Sequence, residues 1–268
     1  MTLPSFLPSA PIFLIAGPCA MESSEMVMNT AATLKKICAA HNIPLIFKSS
    51  FDKANRTAGD APRGLGMETG LQLLAAVRDE LSLPVLTDVH WPTQAAEVAK
   101  VADVLQIPAF LCRQTDLVSA CAATGRAVLI KKGQFLAPQD MTHIAAKAQV
   151  AGAKDVLLCE RGASFGYNNL VADMRSLVVM RQTGCPVVFD ATHSAQLPGA
   201  GDGKSSGARE MVLPLAQAAV AVGVNGLFVE THPNPSQAIS DAATQWPLDQ
   251  MDALLRSITA IDRARQTH

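Results

Sequence analysis

The sequence lacks a large net charge, a long hydrophobic run and a basic N-terminal segment. Its 268 residues carry 22 basic and 23 acidic side chains, so no overall field attracts nucleic acid or an anionic membrane. The longest apolar stretches, Pro11–Ala16 and Val212–Val224, are too short or too interrupted to span a bilayer. The first eleven residues contain three prolines and no lysine or arginine, which argues against a secretory signal. We therefore expect a cytoplasmic protein with no nucleic-acid partner and no membrane partner.

The cysteines show no disulfide pattern. Six are present at irregular spacing, and in a cytoplasmic protein they are expected to stay reduced. A cysteine that lies among other ligand-type side chains is then a candidate metal ligand. With 49% hydrophobic residues, the chain can bury a sizeable core, and we expect a globular enzyme.

Short apolar runs alternate with amphipathic stretches along the chain, which is the pattern of βα units around a buried parallel sheet. The predicted strands are Ile12–Gly17, Pro44–Ser49, Pro84–Asp88, Val104–Pro108, Ala127–Lys131, Val156–Cys159, Pro186–Asp190 and Gly226–Glu230. The predicted helices are Glu25–Ala40, Thr69–Glu80, Gln94–Ala99, Leu117–Ala123, Met141–Val150, Leu170–Arg181, Ala208–Val222 and Leu248–Arg263. Eight such units favour a (β/α)8 TIM barrel, a single catalytic domain over residues 1–268, with a doubly wound open sheet as the alternative.

The segment Pro198–Gly207 reads PGAGDGKSSG and superficially resembles a phosphate-binding P-loop. The P-loop pattern needs glycine at the position of Pro198, and the segment does not run directly from a strand into a helix. We predict instead a mobile loop over the mouth of the barrel.

Polar side chains occur at every predicted strand end or in the first turn beyond it. They are Cys19, Lys48, Asp88, Gln106, Lys131, Arg161, His193 and Glu230. Ligands of a barrel enzyme bind at this end of the strands. Because charges are seldom buried alone, a ring of such residues implies a ligand, a metal or mutual pairing.

Five basic residues belong to this region: Lys48, Lys131 and Arg161 at strand ends, and Lys53 and Arg56 in the loop after the second strand. Five cations facing one cavity would repel each other. A substrate bearing phosphate and carboxylate groups would offset that repulsion. Lys53 and Arg56 could also be an ordinary solvated loop, but the neighbouring Asn55 and Thr57 add hydrogen-bonding groups and favour phosphate binding.

A second group offers one thiol, one imidazole and two carboxylates. Its members are Cys19, His193, Glu230 and Asp241. The first and eighth strands of a closed barrel are neighbours, so these side chains can meet. The mixed sulfur, nitrogen and oxygen set suits Zn, Fe, Mn or Co better than Mg or Ca. From composition alone, a buried structural Cys19 and a core His193 remain the alternative.

Six sequence runs extend over nearly the whole chain and carry a family resemblance. They are KSSFDKANRT (Lys48–Thr57), TDVH (Thr87–His90), QIPAFLCRQTD (Gln106–Asp116), KKGQF (Lys131–Phe135), CERGASFGYNNL (Cys159–Leu170) and FDATHS (Phe189–Ser194). In these runs the chain closely resembles the 3-deoxy-D-manno-octulosonate 8-phosphate synthases. The related 3-deoxy-D-arabino-heptulosonate 7-phosphate synthases typically carry a KPRTS-like run where this chain has KANRT, which favours arabinose 5-phosphate over erythrose 4-phosphate.

The resemblance implies a (β/α)8 homotetramer that condenses phosphoenolpyruvate with D-arabinose 5-phosphate and water in lipopolysaccharide biosynthesis. C3 of phosphoenolpyruvate attacks the aldehyde, water adds at C2, and the hemiketal phosphate then loses phosphate. The implied phosphoenolpyruvate site contains Lys48, Lys53, Lys131, Arg161 and Gln106. The implied arabinose 5-phosphate contacts are Asn55, Arg56, Thr57 and Asp88. Arg113 is implied to reach a neighbouring subunit's site, and Lys48, Lys131, Arg161 and His193 are the expected catalytic groups.

The family divides into metal-dependent and metal-independent branches, and the independent branch has asparagine at the position of Cys19. Here the motif is AGPCAMES, so Cys19, His193, Glu230 and Asp241 are similar to the full ligand set of the metal-dependent branch. A divalent transition metal, Zn, Fe, Mn or Co, is the implied cofactor. Three alternatives remain: an enzyme using erythrose 4-phosphate, a class I aldolase with Lys131 or Lys48 as a Schiff base, and a non-catalytic sugar-phosphate-binding barrel.

Overall fold

Eight parallel strands close into a barrel in a computed structural model, which describes residues 7, 11–56, 58–201 and 204–266. They are β1 Phe13–Gly17, β2 Leu45–Lys48, β3 Val85–Asp88, β4 Val104–Ile107, β5 Ala127–Lys131, β6 Val156–Glu160, β7 Val187–Asp190 and β8 Gly226–His232. Each strand pairs with the next, and β8 pairs with β1. The predicted (β/α)8 barrel is confirmed, and the open-sheet alternative is wrong.

Successive residues of each strand point to opposite sides of the barrel wall, as strand geometry requires, and both sides are buried. Phe13 and Ile15 of β1 belong to a cluster that is built almost entirely from strand residues and fills the barrel interior. Leu14 of β1 belongs instead to a larger cluster that includes Leu34 and Leu74 from the helices. The near-continuous hydrophobic strands are thus explained by burial on both sides.

Helices lie between the strands and cover the barrel. They are α1 Ser24–Ala40, α2 Met67–Leu81, α3 Ala95–Ala99, α4 Thr115–Ala123, α5 Met141–Val150, α6 Met174–Arg181, α7 Val212–Val222 and α8 Met251–Gln266. A one-turn helix, Ala191–Ser194, follows β7. Short 3-10 helices occur at Pro92–Gln94, Ala109–Leu111, Pro138–Asp140, Arg209–Met211, Pro235–Gln237 and Leu248–Gln250. The last strand pair of the barrel sheet joins β8 to Trp246–Pro247.

The predicted helix Leu170–Arg181 begins later than the sequence suggested. Leu170–Val171 pairs with Ala163–Ser164 as a short antiparallel ladder. The helix then starts at Met174, where the side chain of Asp173 accepts a hydrogen bond from the backbone N–H of Arg175. Apolar Leu170 extended the helical pattern by chance, and the acidic N-cap residue marks the true start.

The segment Pro198–Gly207 is also more regular than a loop. Gln196–Gly201 pairs with Lys204–Gly207 in an antiparallel hairpin. The side-chain amide of Asn168 donates a hydrogen bond of 2.7 Å to the carbonyl of Pro198. The hairpin replaces the predicted irregular loop, while its role as a mobile lid stays a prediction. Among the described residues, no helix combines the length and hydropathy needed to cross a membrane.

Candidate active site

A cavity of about 740 Å³ opens at the carboxyl ends of the strands. Its lining includes many of the residues predicted from the sequence: Lys48, Lys53, Asn55, Arg56, Asp88, Gln106, Lys131, Arg161, His193, Glu230 and Asp241. Cys19 lies beside them, with its Sγ 3.1 Å from Oδ2 of Asp241. Arg113 is exposed and outside the lining of this cavity in the part of the chain that the structure describes, and Thr57 falls outside the described residues.

The end of β1 is held close against the end of β2, and this contact positions Cys19. The hydroxyl of Ser49 donates to the carbonyl of Pro18 at 3.0 Å, and Nζ of Lys48 donates to the carbonyl of Cys19 at 3.3 Å. A Cβ atom on Gly17 would overlap the carbonyl oxygen of Lys48. Glycine is therefore needed here for the close approach of two backbones.

We expect Gly17→Ala to lower the free energy of unfolding by about 3 kcal/mol, because the added methyl group meets rigid backbone rather than a mobile side chain. Activity should fall as well, since the displaced strand end carries Lys48. Urea unfolding monitored by circular dichroism measures the change. Gly59→Ala is the matched control, because a Cβ at Gly59 meets no described atom within 4 Å. Equal unfolding midpoints for the two variants would contradict this interpretation.

Buried carboxylates pair with three lysines of the cavity. Nζ of Lys48 lies 2.6 Å from Oε1 of Glu230, and Nζ of Lys53 lies 3.9 Å from the same oxygen. Lys131 forms an ion pair with Asp190. Three of the five cations thus have a carboxylate partner, which is the mutual pairing that the sequence left open, and their repulsion is smaller than that of five unpaired charges.

Several buried polar atoms of the cavity have no hydrogen-bond partner among the described residues, and two of them belong to Arg161 and Gln106. Nη2 of Arg161 donates to Gln196 at 2.6 Å, but its Nη1 is unpaired. Oε1 of Gln106 is unpaired as well. Burial lowers the pKa of Arg161 from its ordinary value. An anion bound at Nη1 would satisfy the donor and offset the cost of burying the charge.

Asp88 is the centre of a hydrogen-bond chain. It accepts from the hydroxyl of Ser50 at 2.5 Å and from the side-chain amide of Gln106. Nζ of Lys53 donates to the same hydroxyl at 3.0 Å. Burial alone would raise the pKa of Asp88, but Lys48 and Lys53 lower it well below its usual range. Asp88 is thus an ionised acceptor that aligns the neighbouring polar groups.

Arg56 contacts the segment that carries Asp241. Its guanidinium donates to the hydroxyl of Ser240 and to the carbonyl of Ile239, both at 2.8 Å. Asn55 is exposed at the rim of the cavity. The loop after β2 and the loop after β8 therefore meet at Arg56, a contact between residues about 180 positions apart that no local pattern predicts.

Three candidate metal ligands form a compact buried cluster. Ligand atoms of Cys19, Glu230 and Asp241 lie within 4.8 Å of one another. Nε2 of His193 lies 3.6 Å from Oε2 of Glu230 and 3.8 Å from Oδ2 of Asp241. The structure thus brings together the four residues that the sequence placed in one group. Burial, with the charges of Asp241 and Glu230, raises the pKa of the Cys19 thiol.

Asp190 is a candidate site residue that the sequence did not reveal. Its side chain accepts from the backbone N–H of His193 at 2.9 Å and contacts Nδ1 of the same residue at 2.6 Å. Although burial raises the pKa of Asp190, His193 and Lys131 lower it well below its usual range. The sequence nevertheless contained two signs of its importance: Asp190 ends a predicted strand, and it is an N-cap residue for the turn that carries His193.

Comparisons with known proteins agree with this geometry. A family model described as the DAHP synthetase I family matches residues 9–267. The 2-dehydro-3-deoxyphosphooctonate aldolase of Azoarcus sp. (strain BH72) is 63% identical over 94% of this chain and 91% of its own length. Proteins of the same name from Acidithiobacillus ferrooxidans (strain ATCC 53993 / BNL-5-31) and Legionella pneumophila (strain Corby) are 60% and 58% identical. Each matches 94% of this chain, over 90% and 92% of its own length respectively.

The chain belongs to the 2-dehydro-3-deoxyphosphooctonate aldolase family. This is another name for the 3-deoxy-D-manno-octulosonate 8-phosphate synthases, so the resemblance seen in the sequence is confirmed at the level of the family. Within the family fold, two further polar residues support the site. Gln196 donates to Oδ1 of Asp241 at 2.8 Å, and Gln245 accepts from the backbone N–H of Cys19 at 3.1 Å. Gln196 begins the hairpin and Gln245 lies in a loop, and neither belongs to a recognisable motif, which explains why the sequence did not reveal them.

Proposed function

We propose that the protein condenses phosphoenolpyruvate with D-arabinose 5-phosphate and water, giving 3-deoxy-D-manno-octulosonate 8-phosphate and inorganic phosphate for lipopolysaccharide biosynthesis. The observation that carries this proposal is the buried donor set at the barrel mouth. Lys48, Lys53, Lys131 and Arg161 line one cavity, and Nη1 of Arg161 has no protein partner among the described residues. A small molecule with both a carboxylate and a phosphate matches this set.

The residues can hold phosphoenolpyruvate and stabilise charge as it develops. Arg161 offers a planar guanidinium, and the lysines offer compact charges held in place by carboxylates. In the reaction, a bond forms between C3 of phosphoenolpyruvate and the aldehyde carbon, water adds at C2, and the C2–O bond to phosphate then breaks. Negative charge grows on the former aldehyde oxygen and on the departing phosphate. Fixed cations that need no reorganisation stabilise both.

The second substrate is tested by a choice between two aldose phosphates. We expect kcat/KM to be about 100-fold higher with arabinose 5-phosphate than with erythrose 4-phosphate, because the shorter sugar leaves polar groups of the site unpaired. Phosphate release measures both rates. Faster turnover with erythrose 4-phosphate would overturn the assignment and favour the heptulosonate-forming relatives.

The class I aldolase alternative fits the geometry poorly. Lys131 contacts Asp190 and Lys48 contacts Glu230, so Schiff-base formation at either nitrogen would have to break a buried ion pair. Irreversible inactivation by borohydride with substrate would support that alternative. Tight substrate binding without phosphate release in metal-replete protein would support a non-catalytic barrel.

We also propose that the protein belongs to the metal-dependent branch and holds Zn, Fe, Mn or Co. One observation and one chemical expectation support the fit of these residues to a metal ion. Oε2 of Glu230 is buried and has no hydrogen-bond partner in the described part of the chain, and a cation beside Cys19 and Asp241 would stabilise the thiolate form of the cysteine. Asp190 fixes the ring of His193 so that Nε2 faces the cluster, an outer partner of the kind that metal-binding histidines use. Such a metal would supply Lewis acidity toward water or the aldehyde.

The homotetramer and the cytoplasmic location remain predictions. Arg113 supports the first, because it is exposed and lies outside the cavity of its own chain, as expected of a residue that serves a neighbouring subunit. Light scattering coupled to size exclusion measures the assembly. A monomer with full activity would overturn the proposed role of Arg113 between subunits.

A further inference from the structure

A further buried ion pair, Lys132–Glu160, lies next to residues of the cavity but outside its lining. Nζ of Lys132 lies 3.4 Å from Oε1 of Glu160, and the two side chains are each 2% exposed. Lys132 follows β5 and Glu160 ends β6, so their side chains alternate with those of Lys131 and Arg161. The described residues that line the cavity include Lys131 and Arg161 but neither Lys132 nor Glu160. The pair therefore acts from outside the ligand site.

Glu160 fixes the backbone that carries Arg161. Its Oε1 accepts from the backbone N–H of Arg161 at 2.9 Å and from that of Gly162 at 2.7 Å. Gly162 has a φ of 89°, a left-handed backbone conformation that residues other than glycine rarely adopt. A charged acceptor holding two successive N–H groups is a strong anchor. The direction in which Arg161 leaves the strand is thus set by Glu160.

Lys132 performs the same task for the loop after β5. Its Nζ donates to the carbonyls of Gly133 and Leu136, both at 3.3 Å. Between them lies Gln134, which lines the cavity. The carbonyl of Gln134 accepts from the backbone N–H of Ser164 at 2.9 Å, so the loops after β5 and β6 are joined twice, once by their backbones and once by the ion pair.

We propose that Lys132 and Glu160 are positioning residues that hold Arg161 and Gln134 in the arrangement that binds the anionic substrate. Stability alone explains the pair poorly, because two well-packed apolar side chains can replace a buried ion pair at little cost. What apolar residues cannot supply is the set of four backbone contacts. The proposal rests on the proposed function through the role of Arg161 in binding phosphoenolpyruvate.

The test compares phosphoenolpyruvate binding by wild type and by the double variant Lys132→Met/Glu160→Leu, which leaves no buried charge unpaired. We expect the double variant to fold and its dissociation constant for phosphoenolpyruvate, measured by calorimetry, to rise about tenfold or more, the effect of one lost charged hydrogen bond. The KM for phosphoenolpyruvate should rise in parallel, while kcat stays within about threefold, as uniform loss of ground-state binding requires. Glu160→Asp, which keeps the charge but shortens its reach, is expected to weaken binding in the same way and gives the same test if the double variant does not fold.

Asp262→Asn is the matched control. Asp262 is also buried and accepts from Arg265 at 2.8 Å and from the backbone N–H of Ile12 at 3.4 Å, but it lies at the opposite end of the barrel. This variant should lose stability without a change in phosphoenolpyruvate affinity. Unchanged affinity in the folded double variant and in Glu160→Asp would overturn the positioning role. Failure of wild type to bind phosphoenolpyruvate would instead overturn the proposed function, so the two failures are distinguishable.

Discussion

Replacing Lys131 with methionine is expected to lower kcat/KM for the condensation about 1,000-fold, the loss seen when a preorganised electrostatic group is removed from an active site. Lys131 is buried at the end of β5, where its Nζ pairs with Asp190 and lies 3.5 Å from the centre of the Phe228 ring. The carboxylate and the ring together hold one charge at a fixed point of the cavity. Methionine keeps the length and the apolar stem but removes that charge.

The same change leaves Asp190 with one charged partner fewer, so stability must be measured separately from activity. The loss of one partner of a buried pair can cost about 3–5 kcal/mol, although Asp190 keeps its contact with His193. Thermal unfolding and steady-state phosphate release are therefore recorded on the same samples. Lys100→Met is the matched control, because Lys100 is exposed and its ion pair with the exposed Glu97 lies at the protein surface. A folded Lys131→Met enzyme with normal kcat/KM would contradict the assigned role.

The barrel could be predicted because its signals are local. The apolar run in each strand predicts the sheet. Lys48 and Glu230 could be predicted as site residues because the strands of a barrel end at the ligand site. The structure places these two side chains 2.6 Å apart, as the closure of β8 against β1 and the pairing of β1 with β2 require. The sequence predicted that these groups share a mouth and left mutual pairing open, but it did not predict that Lys48 and Lys53 share Glu230 while Lys131 pairs with Asp190.

What could not be predicted depends on side-chain contacts across loops. Arg56 looked like a free phosphate ligand, yet its guanidinium bonds to Ile239 and Ser240, beside the candidate metal ligand Asp241. Asp241 itself has a φ of 50°, a left-handed conformation that loop packing stabilises and that no spacing rule reveals. The cavity is therefore built from a predictable ring of strand ends and from loop contacts that only the folded chain defines.

Activity is expected to depend on a metal held by Cys19, His193, Glu230 and Asp241. Removal of the metal by a chelator is expected to lower turnover about 100-fold or more, and Mn, Co, Zn or Fe should restore it. The physical reason is the donor set itself: a thiol, two carboxylates and an imidazole whose ligand atoms cluster within a few ångströms give a transition metal the mixed ligands that it prefers. Turnover and bound metal, measured by elemental analysis, are followed together.

Cys19→Ala separates this prediction from a purely structural role of the cysteine. The variant should lose both metal content and activity, and added metal should not restore turnover, because the sulfur ligand is gone. Cys121→Ala is the matched control, since Cys121 is an equally buried thiol in α4 outside the candidate cluster, and it should retain its metal. A wild-type protein that keeps full activity in excess chelator would assign the chain to the metal-independent branch despite Cys19. In that case the raised pKa of the Cys19 thiol and its contact with Asp241 would describe a neutral hydrogen-bond donor at the end of β1 rather than a ligand.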